Sequence, residues 1–308
     1  MLIEYAAITH LGRVRKNNED AYLVSALDGE EPEVNSLRPL AQDCRGGILA
    51  AVADGMGGAA SGEIASREGL ASVAVNLFGH WGRYASAKAV EADLLLALRH
   101  AAEEASSAVL RYADAERGSR GMGSTLTAAV IWNGQVYLAQ VGDSRAYLYR
   151  DHQLVQLTED QTLMQELISA GSLTQEQART HPQRSLITQA LGCPVPIRAV
   201  LGQVALRRGD RLLLCSDGLH GELVDARLRD LFALELGLKE TLELMVDEAL
   251  HQGGHDNITA LILALDAPGL PLPLAGEGVR VRVVRDPLAL PARETFFSRL
   301  SRILRGNS

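Results

Sequence analysis

Apolar and polar positions along this chain follow two rhythms, and the change between them falls near residue 124. Before it, residues 2–9 and Gly47–Asp54 read as strands, and Ser61–Phe78 and Ala87–Ala113 as helices. In the longer helix Leu94, Leu98, Ala101, Ala105 and Val109 recur at three- and four-residue steps, the stripe a helix turns toward a core. Ser61 is the expected N-cap of the shorter one. From Ser124 the period shortens, and Ser124–Trp132, Gln135–Val141, Ala146–Tyr149 and Gln153–Leu157 read as strands. Asn133-Gly134 is a strong hairpin signal, and Asp151-His152 joins the last two strands. Residues 160–181 read as helical, polar and interrupted at Gly171, a credible flap over a site. Val200–Leu206 and Arg211–Cys215 are further strands, Lys239–Leu250 an amphipathic helix, and the run ending at Leu265 a buried last strand.

One construction occurs twice. AAVADGMGG (Ala50–Gly58) is an apolar run ending in Asp54 and Gly55, and LLLCSDG (Leu212–Gly218) ends in Asp217 and Gly218. Strands covered on both faces read as such unbroken apolar runs, and a carboxylate at their end points out of the core. A glycine after it allows close approach of backbone to a ligand, having no Cβ.

Composition narrows the classes. At 308 residues, 47% hydrophobic and 22% charged, the chain is an ordinary globular protein with room for a large core. A net charge of −8 argues against a general nucleic-acid binder. Cys44, Cys193 and Cys215 have no paired spacing, and the N-terminus lacks a basic signal start, so a cytoplasmic location is expected. After Leu265 the character shifts: residues 266–308 hold five of the ten prolines, and residues 267–308 carry a net charge of +4. The reading is a domain over 1–265 and a Pro-rich linker with a basic tail over 266–308. Within the tail Phe296, Phe297, Leu300, Ile303 and Leu304 share one helical face with Arg299, Arg302 and Arg305 between. Such a segment (294–305) suits a membrane surface or a partner.

The candidate chemistry lies in carboxylates. Asp20, Asp54, Asp143, Asp217 and Asp256 all stand where a strand starts or stops. If those ends converge, the charges raise one another's pKa unless cations neutralise them. Oxygen-only ligand sets suit Mg²⁺ or Mn²⁺ rather than zinc. A pair of such ions lowers the pKa of a shared water and clamps a phosphate for in-line attack. Arg15 offers a planar fork for phosphate oxygens.

RKNNED (Arg15–Asp20), ADGMGG (Ala53–Gly58), GSTLTAAVI (Gly123–Ile131), VGDSRAY (Val141–Tyr147), LLLCSDGL (Leu212–Leu219) and GGHDNIT (Gly253–Thr259) follow one another in this order. Over roughly residues 1–265 the chain thereby resembles the metal-dependent Ser/Thr protein phosphatases of type 2C (the PPM family) in their compact bacterial form. The resemblance implies an α+β fold, a four-layer α-β-β-α sandwich of two antiparallel sheets flanked by helices. It implies a catalytic centre of two Mn²⁺ or Mg²⁺ ions, with Asp54 bridging them and the Gly55 carbonyl on one. Asp217 and Asp256 then complete the other ion's shell, Asp20 acts partly through water, and Asp143 with Asp217 holds a third ion. Arg15 holds the substrate phosphate, and Glu19 supports the site without ligating. The implied partners are phosphoserine and phosphothreonine proteins and a bacterial Ser/Thr kinase whose work the enzyme opposes.

Three positions depart from the family pattern. Met56 stands where animal members have His, Ala59 where some bacterial members have His, and Gln161 where His is common. No side chain is therefore assigned as general acid by motif, and His181 in the flap is a candidate. A cysteine phosphatase needs five residues between Cys and Arg, and Cys193 and Arg198 have four. The eight histidines form no zinc or iron ligand pattern. The alternative from another class is a catalytically inactive module that binds phosphoproteins.

Overall fold

The computed structural model describes residues 3–28, 33–37, 46–57, 61–84, 91–116, 121–179, 181–274 and 276–284. Strands β1 (Ile3–His10), β2 (Asp20–Ala26) and β3 (Ile48–Met56) lead to helices α1 (Ser61–Tyr84) and α2 (Glu91–Ala115). A two-residue β4 (Gly123–Ser124) precedes a meander of β5 (Leu126–Trp132), β6 (Gln135–Val141), β7 (Arg145–Arg150) and β8 (Gln153–Gln156). The flap contains α3 (Leu163–Ser169) and α4 (Gln175–Arg179). There follow β9 (Val200–Ala205), β10 (Asp210–Cys215), α5 (Asp217–His220), α6 (Asp225–Phe232), α7 (Leu238–Gln252), β11 (Ile258–Leu265) and β12 (Arg282–Val284).

These strands form two antiparallel sheets, ordered β1-β11-β10-β7-β8 and β12-β9-β6-β5-β3-β2, with β4 paired to β3. The unbroken apolar runs have the expected meaning: both faces of the central strands are covered. In β3, Leu49, Ala51 and Ala53 join the core beneath α1 and α2, while Ile48, Ala50 and Val52 face the other sheet. In β11, Leu261, Leu263 and Leu265 enter that middle core, and Ile258, Ala260 and Ile262 lie under α7. Period-two alternation thus feeds two cores at once, giving helix, sheet, sheet and helix layers. The α2 stripe is buried as read, and Cys215 is a small core residue. Both hairpins turn through left-handed backbone, at Asn133 and Gly134 and at Asp151 and His152, which suits the twist of the joined strands.

Several boundaries differ from expectation. Ser61 is the first helical residue of α1, and α1 runs on to Tyr84. The strand expected over 124–132 breaks at Thr125, into β4 and β5. Helices α5 and α6 were not expected; four and eight residues are too short to show a periodic stripe. Nor does the chain leave the domain at Leu265. Ala267 and Leu270 are buried in the middle core, Arg207 grips Glu277, and β12 pairs with β9 at a sheet edge. The expected linker is, as far as Val284, a strap. Prolines fit it because an edge segment need not donate every N–H. The basic tail segment 294–305 lies outside the described residues.

The two Asp-Gly corners owe their glycines to the chain itself. A Cβ on Gly55 would strike the carbonyls of Gly62 and Glu19, and one on Gly218 the carbonyl of Asn257. Rigid backbone cannot yield there, so Gly218→Ala is expected to cost about 1–3 kcal/mol. Gly79→Ala, in an open stretch of α1, should instead stabilise by about 0.5–1 kcal/mol. Urea denaturation of the two variants checks both signs.

Candidate active site

The site lies where strand ends of both sheets meet. Asp20 opens β2 and is in register with Asp54 of β3, so two carboxylates stand side by side on neighbouring strands. Asp54 is held through its backbone: its N–H donates to Thr125 Oγ1 at 2.9 Å, and its carbonyl accepts from Thr125 N at 2.9 Å and Ser124 Oγ at 3.0 Å. The break at Thr125 makes this grip. From the other sheet comes Ser216, which donates to Asp20 Oδ2 at 2.7 Å and accepts from Thr259 N at 3.0 Å. Ser216 therefore pins β2 to the ends of β10 and β11, and Asp217 follows it as the first residue of α5.

Asp256 reaches the group through Arg15, whose Nη2 donates to Asp256 Oδ2 at 2.5 Å. The loop carrying Arg15 is shaped by Asn257, whose side-chain NH₂ donates to Leu11 O at 2.9 Å and Asn17 O at 3.0 Å. Its carbonyl accepts Glu19 N–H at 2.8 Å. Glu19 lies elsewhere, its carboxylate against Gly62 in the first turn of α1, where a helix favours negative charge.

Asp143 sits in the β6–β7 turn, buried, with Gly142 before it at φ 97°. His220 at the end of α5 closes on this turn, Nε2 to Asp143 O at 3.0 Å. The carbonyl can only accept, so Nε2 carries a proton. Burial first, and then the Arg145 charge, push the His220 pKa down to about 3, leaving a neutral ring. Beneath the flap a cavity of about 560 Å³ adjoins Asp143 and Asp217 and is also lined by Arg145, Asp160, Arg184 and His220. His181 is partly exposed, and its Nδ1 accepts the Gln183 N–H at 3.1 Å.

The electrostatics are those of crowded anions. Burial chiefly, then Asp20, Asp217, Asp143 and Asp256, hold the Asp54 pKa well above its ordinary value. Burial and then Asp217 and Asp160 do the same to Asp143. Asp20 is pushed up to about 7 by burial, against hydrogen bonds from Ser216 and Thr259, with Asp217 and Asp256 adding to the rise. Asp217 reaches about 6 through burial and Asp256. Sequence positions up to 236 apart therefore share one field.

Among the described residues no three His, Cys, Asp or Glu side chains close on a point as a ready-made ion cage. Asp256 is turned to Arg15 and Asp20 to Ser216. Yet buried Oδ1 atoms of Asp20 and Asp217 have no protein partner. Unpartnered buried oxygens among like charges fit a divalent cation of the hard, oxygen-seeking kind. Sequence reading missed Ser216, Asn257, Thr125 and His220. The only signal was adjacency, since Ser216 and Asn257 each neighbour a candidate aspartate.

A model of the family Protein phosphatase 2C matches residues 37–253. The serine/threonine phosphatase stp of Listeria monocytogenes is 33% identical over 258 residues, covering 84% of this chain and 94% of that protein. The protein phosphatase PstP of Mycobacterium tuberculosis is 36% identical over 263 residues, 85% of this chain and 45% of that longer protein. Among solved structures, the M. tuberculosis phosphatase PstP/Ppp superposes with TM-score 0.70 at 34% identity, over 87% of this chain and all of that one. The PstP catalytic domain in complex with two manganese ions superposes with TM-score 0.66 at 32% identity, over 86% of this chain and 99% of that one. This chain belongs to the protein phosphatase 2C family, and its class is that of a protein serine/threonine phosphatase. Among the described residues no helix is long and apolar enough to cross a membrane.

The raised carboxyl values set a pH dependence. Asp20 and Asp217, at about 7 and about 6, hold protons in the folded state that the unfolded chain releases above about pH 4. Their contribution is complete below that pH and is lost as pH rises through the folded values. With chelator present, the melting temperature should fall between about pH 5 and about pH 8, and Asp20→Asn should flatten the fall. A parent and variant with superimposable profiles would refute the assignment.

Proposed function

We propose that this chain is a Mn²⁺- or Mg²⁺-dependent phosphatase that removes phosphate from phosphoserine and phosphothreonine in proteins, by direct attack of water on phosphorus. What supports the reading most is one observation: buried carboxylates from both sheets share a field, and two of their oxygens lack a protein partner. Asp54 would lie between two ions, with the Gly55 carbonyl on one and Asp217 and Asp256 on the other. Asp20 would act partly through water, and Asp143 with Asp217 would take a third, weaker ion. When bound, such ions lower the pKa of water and neutralise charge on the phosphoryl oxygens.

The chain's own residues do the rest. Arg15, half exposed on its Asp256 tether, is free to present its outer N–H groups to phosphate oxygens. Attack opposite the Ser or Thr oxygen breaks the P–O bond, and the departing alkoxide takes up a proton. No protein acid is assigned to that transfer, since Met56 cannot supply one. An inactive binding module would be free to lose its carboxylates, and every one is present. The activity opposes a Ser/Thr kinase acting on the same proteins.

Asp54→Asn and Asp256→Asn should each lower Mn²⁺-dependent hydrolysis of an aryl phosphate by about a hundredfold or more. Arg15→Ala should weaken kcat/KM by about 1.5–3 kcal/mol, mainly through KM. Asp54→Asn retaining a double-digit percentage of activity would refute the two-ion scheme. Folding is followed by circular dichroism in each case.

A further inference from the structure

Asp256 is gripped on either side. After it, Asn257 gathers the Arg15 loop and lays its carbonyl against Gly218, the neighbour of Asp217. Before it stands His255, whose backbone N–H donates to Glu222 Oε1 at 3.1 Å and whose ring Nδ1 lies 2.7 Å from the same oxygen. A carboxylate oxygen accepts there, so Nδ1 carries the proton. Glu222 lies outside all six motifs of the sequence.

Both partners of this contact are built to hold still. Glu222 follows α5 on tightly wound backbone: Gly221 N donates to Asp217 O at 2.7 Å, Glu222 N to Leu219 O at 3.3 Å and Leu223 N to Leu219 O at 2.9 Å. Leu223 is buried, and the Glu222 side chain is only 14% exposed. Glu222 and Asp217 therefore move as one body. The His255 ring, though exposed, folds back over Gly253 at φ 149°, where a Cβ would strike it. The Gly218–Asn257 contact sets how far the two loops stand apart. A second contact on the other side of Asp256 sets their angle. The Asp256 carboxylate turns with that angle: Oδ1 accepts the Asn257 N–H at 2.8 Å, and Oδ2 holds Arg15.

We propose that Glu222 is a positioning residue. Through His255 it orients Asp256, and with it both the Arg15 guanidinium that meets the phosphate and the ion seat that Asp217 and Asp256 share. The inference rests on the functional reading above. It assigns a role to a side chain that touches neither the phosphate nor an ion.

Glu222→Ala removes the acceptor from both His255 donors. Titration with Mn²⁺, read by calorimetry, should show one site about tenfold weaker. KM for an aryl phosphate should rise about three- to tenfold, with kcat changed less. Glu222→Gln, which keeps an oxygen in the same place, should restore most of both. In an Arg15→Ala background the KM effect of Glu222→Ala should shrink to about twofold or less, since residues that act through one another are not additive, while the weaker Mn²⁺ site persists. His255→Ala, which keeps the backbone N–H contact, should move both readouts the same way by less, and it serves if Glu222→Ala does not fold. An unchanged Mn²⁺ titration overturns the inference. So does a KM effect undiminished without Arg15, which is what a lowered melting temperature alone would give. Wild-type protein without turnover, whose Mn²⁺ titration still responds to Glu222→Ala, would instead overturn the phosphatase reading alone.

Discussion

Gathering like charges in a buried corner is the constraint on which this structure turns. Asp20 and Asp143 are buried, Asp54 and Asp217 partly so, and each raises or feels the others. Left alone such groups would protonate or swing apart. The surrounding chain opposes that by holding backbones, as Thr125 and Ser124 hold Asp54, while the Oδ1 atoms of Asp20 and Asp217 stay without a hydrogen-bond partner. The site is an assembly of fixed main chain with unsatisfied tips.

The layered sandwich makes that assembly available. Two sheets covered on both faces must end somewhere, and the ends of their central strands are where polar groups can emerge beside one another. Asp54 and Asp217 are the last word of two apolar runs, one from each sheet. The repeated Asp-Gly corner exposes the carboxylate while the glycine lets another segment's carbonyl lie flat against it. Gly62 and Asn257 provide those carbonyls. The reason for glycine is therefore steric and internal, where the sequence suggested approach of a ligand.

What was legible followed from local rules. Central strands, hairpin turns and long helices announced themselves because period and turn chemistry act over a few residues. The carboxylates were legible because a charge closing an apolar run is unusual. Their holders were not. Ser216 reaches Asp20 across 196 positions and Asn257 reaches Leu11 across 246, and no window of sequence contains such a pairing. β12 escaped because three residues show no alternation, and α5 because a single turn has no stripe. Prolines and arginines after Leu265 suggested a linker, though the strap tolerates both on its exposed side.

The Ser216 hydroxyl is a stitch between two layers whose facing surfaces are largely apolar. Asp20 and Asp54 ride on one layer, Asp217 and Asp256 on the other, so the gap separating the halves of the site is set by the thickness of the apolar filling. Trimming a side chain such as Leu212 or Ile48, toward the far ends of the same strands, would let the layers settle closer. The enzyme would then register a change in its interior as a change in the spacing of its carboxylates.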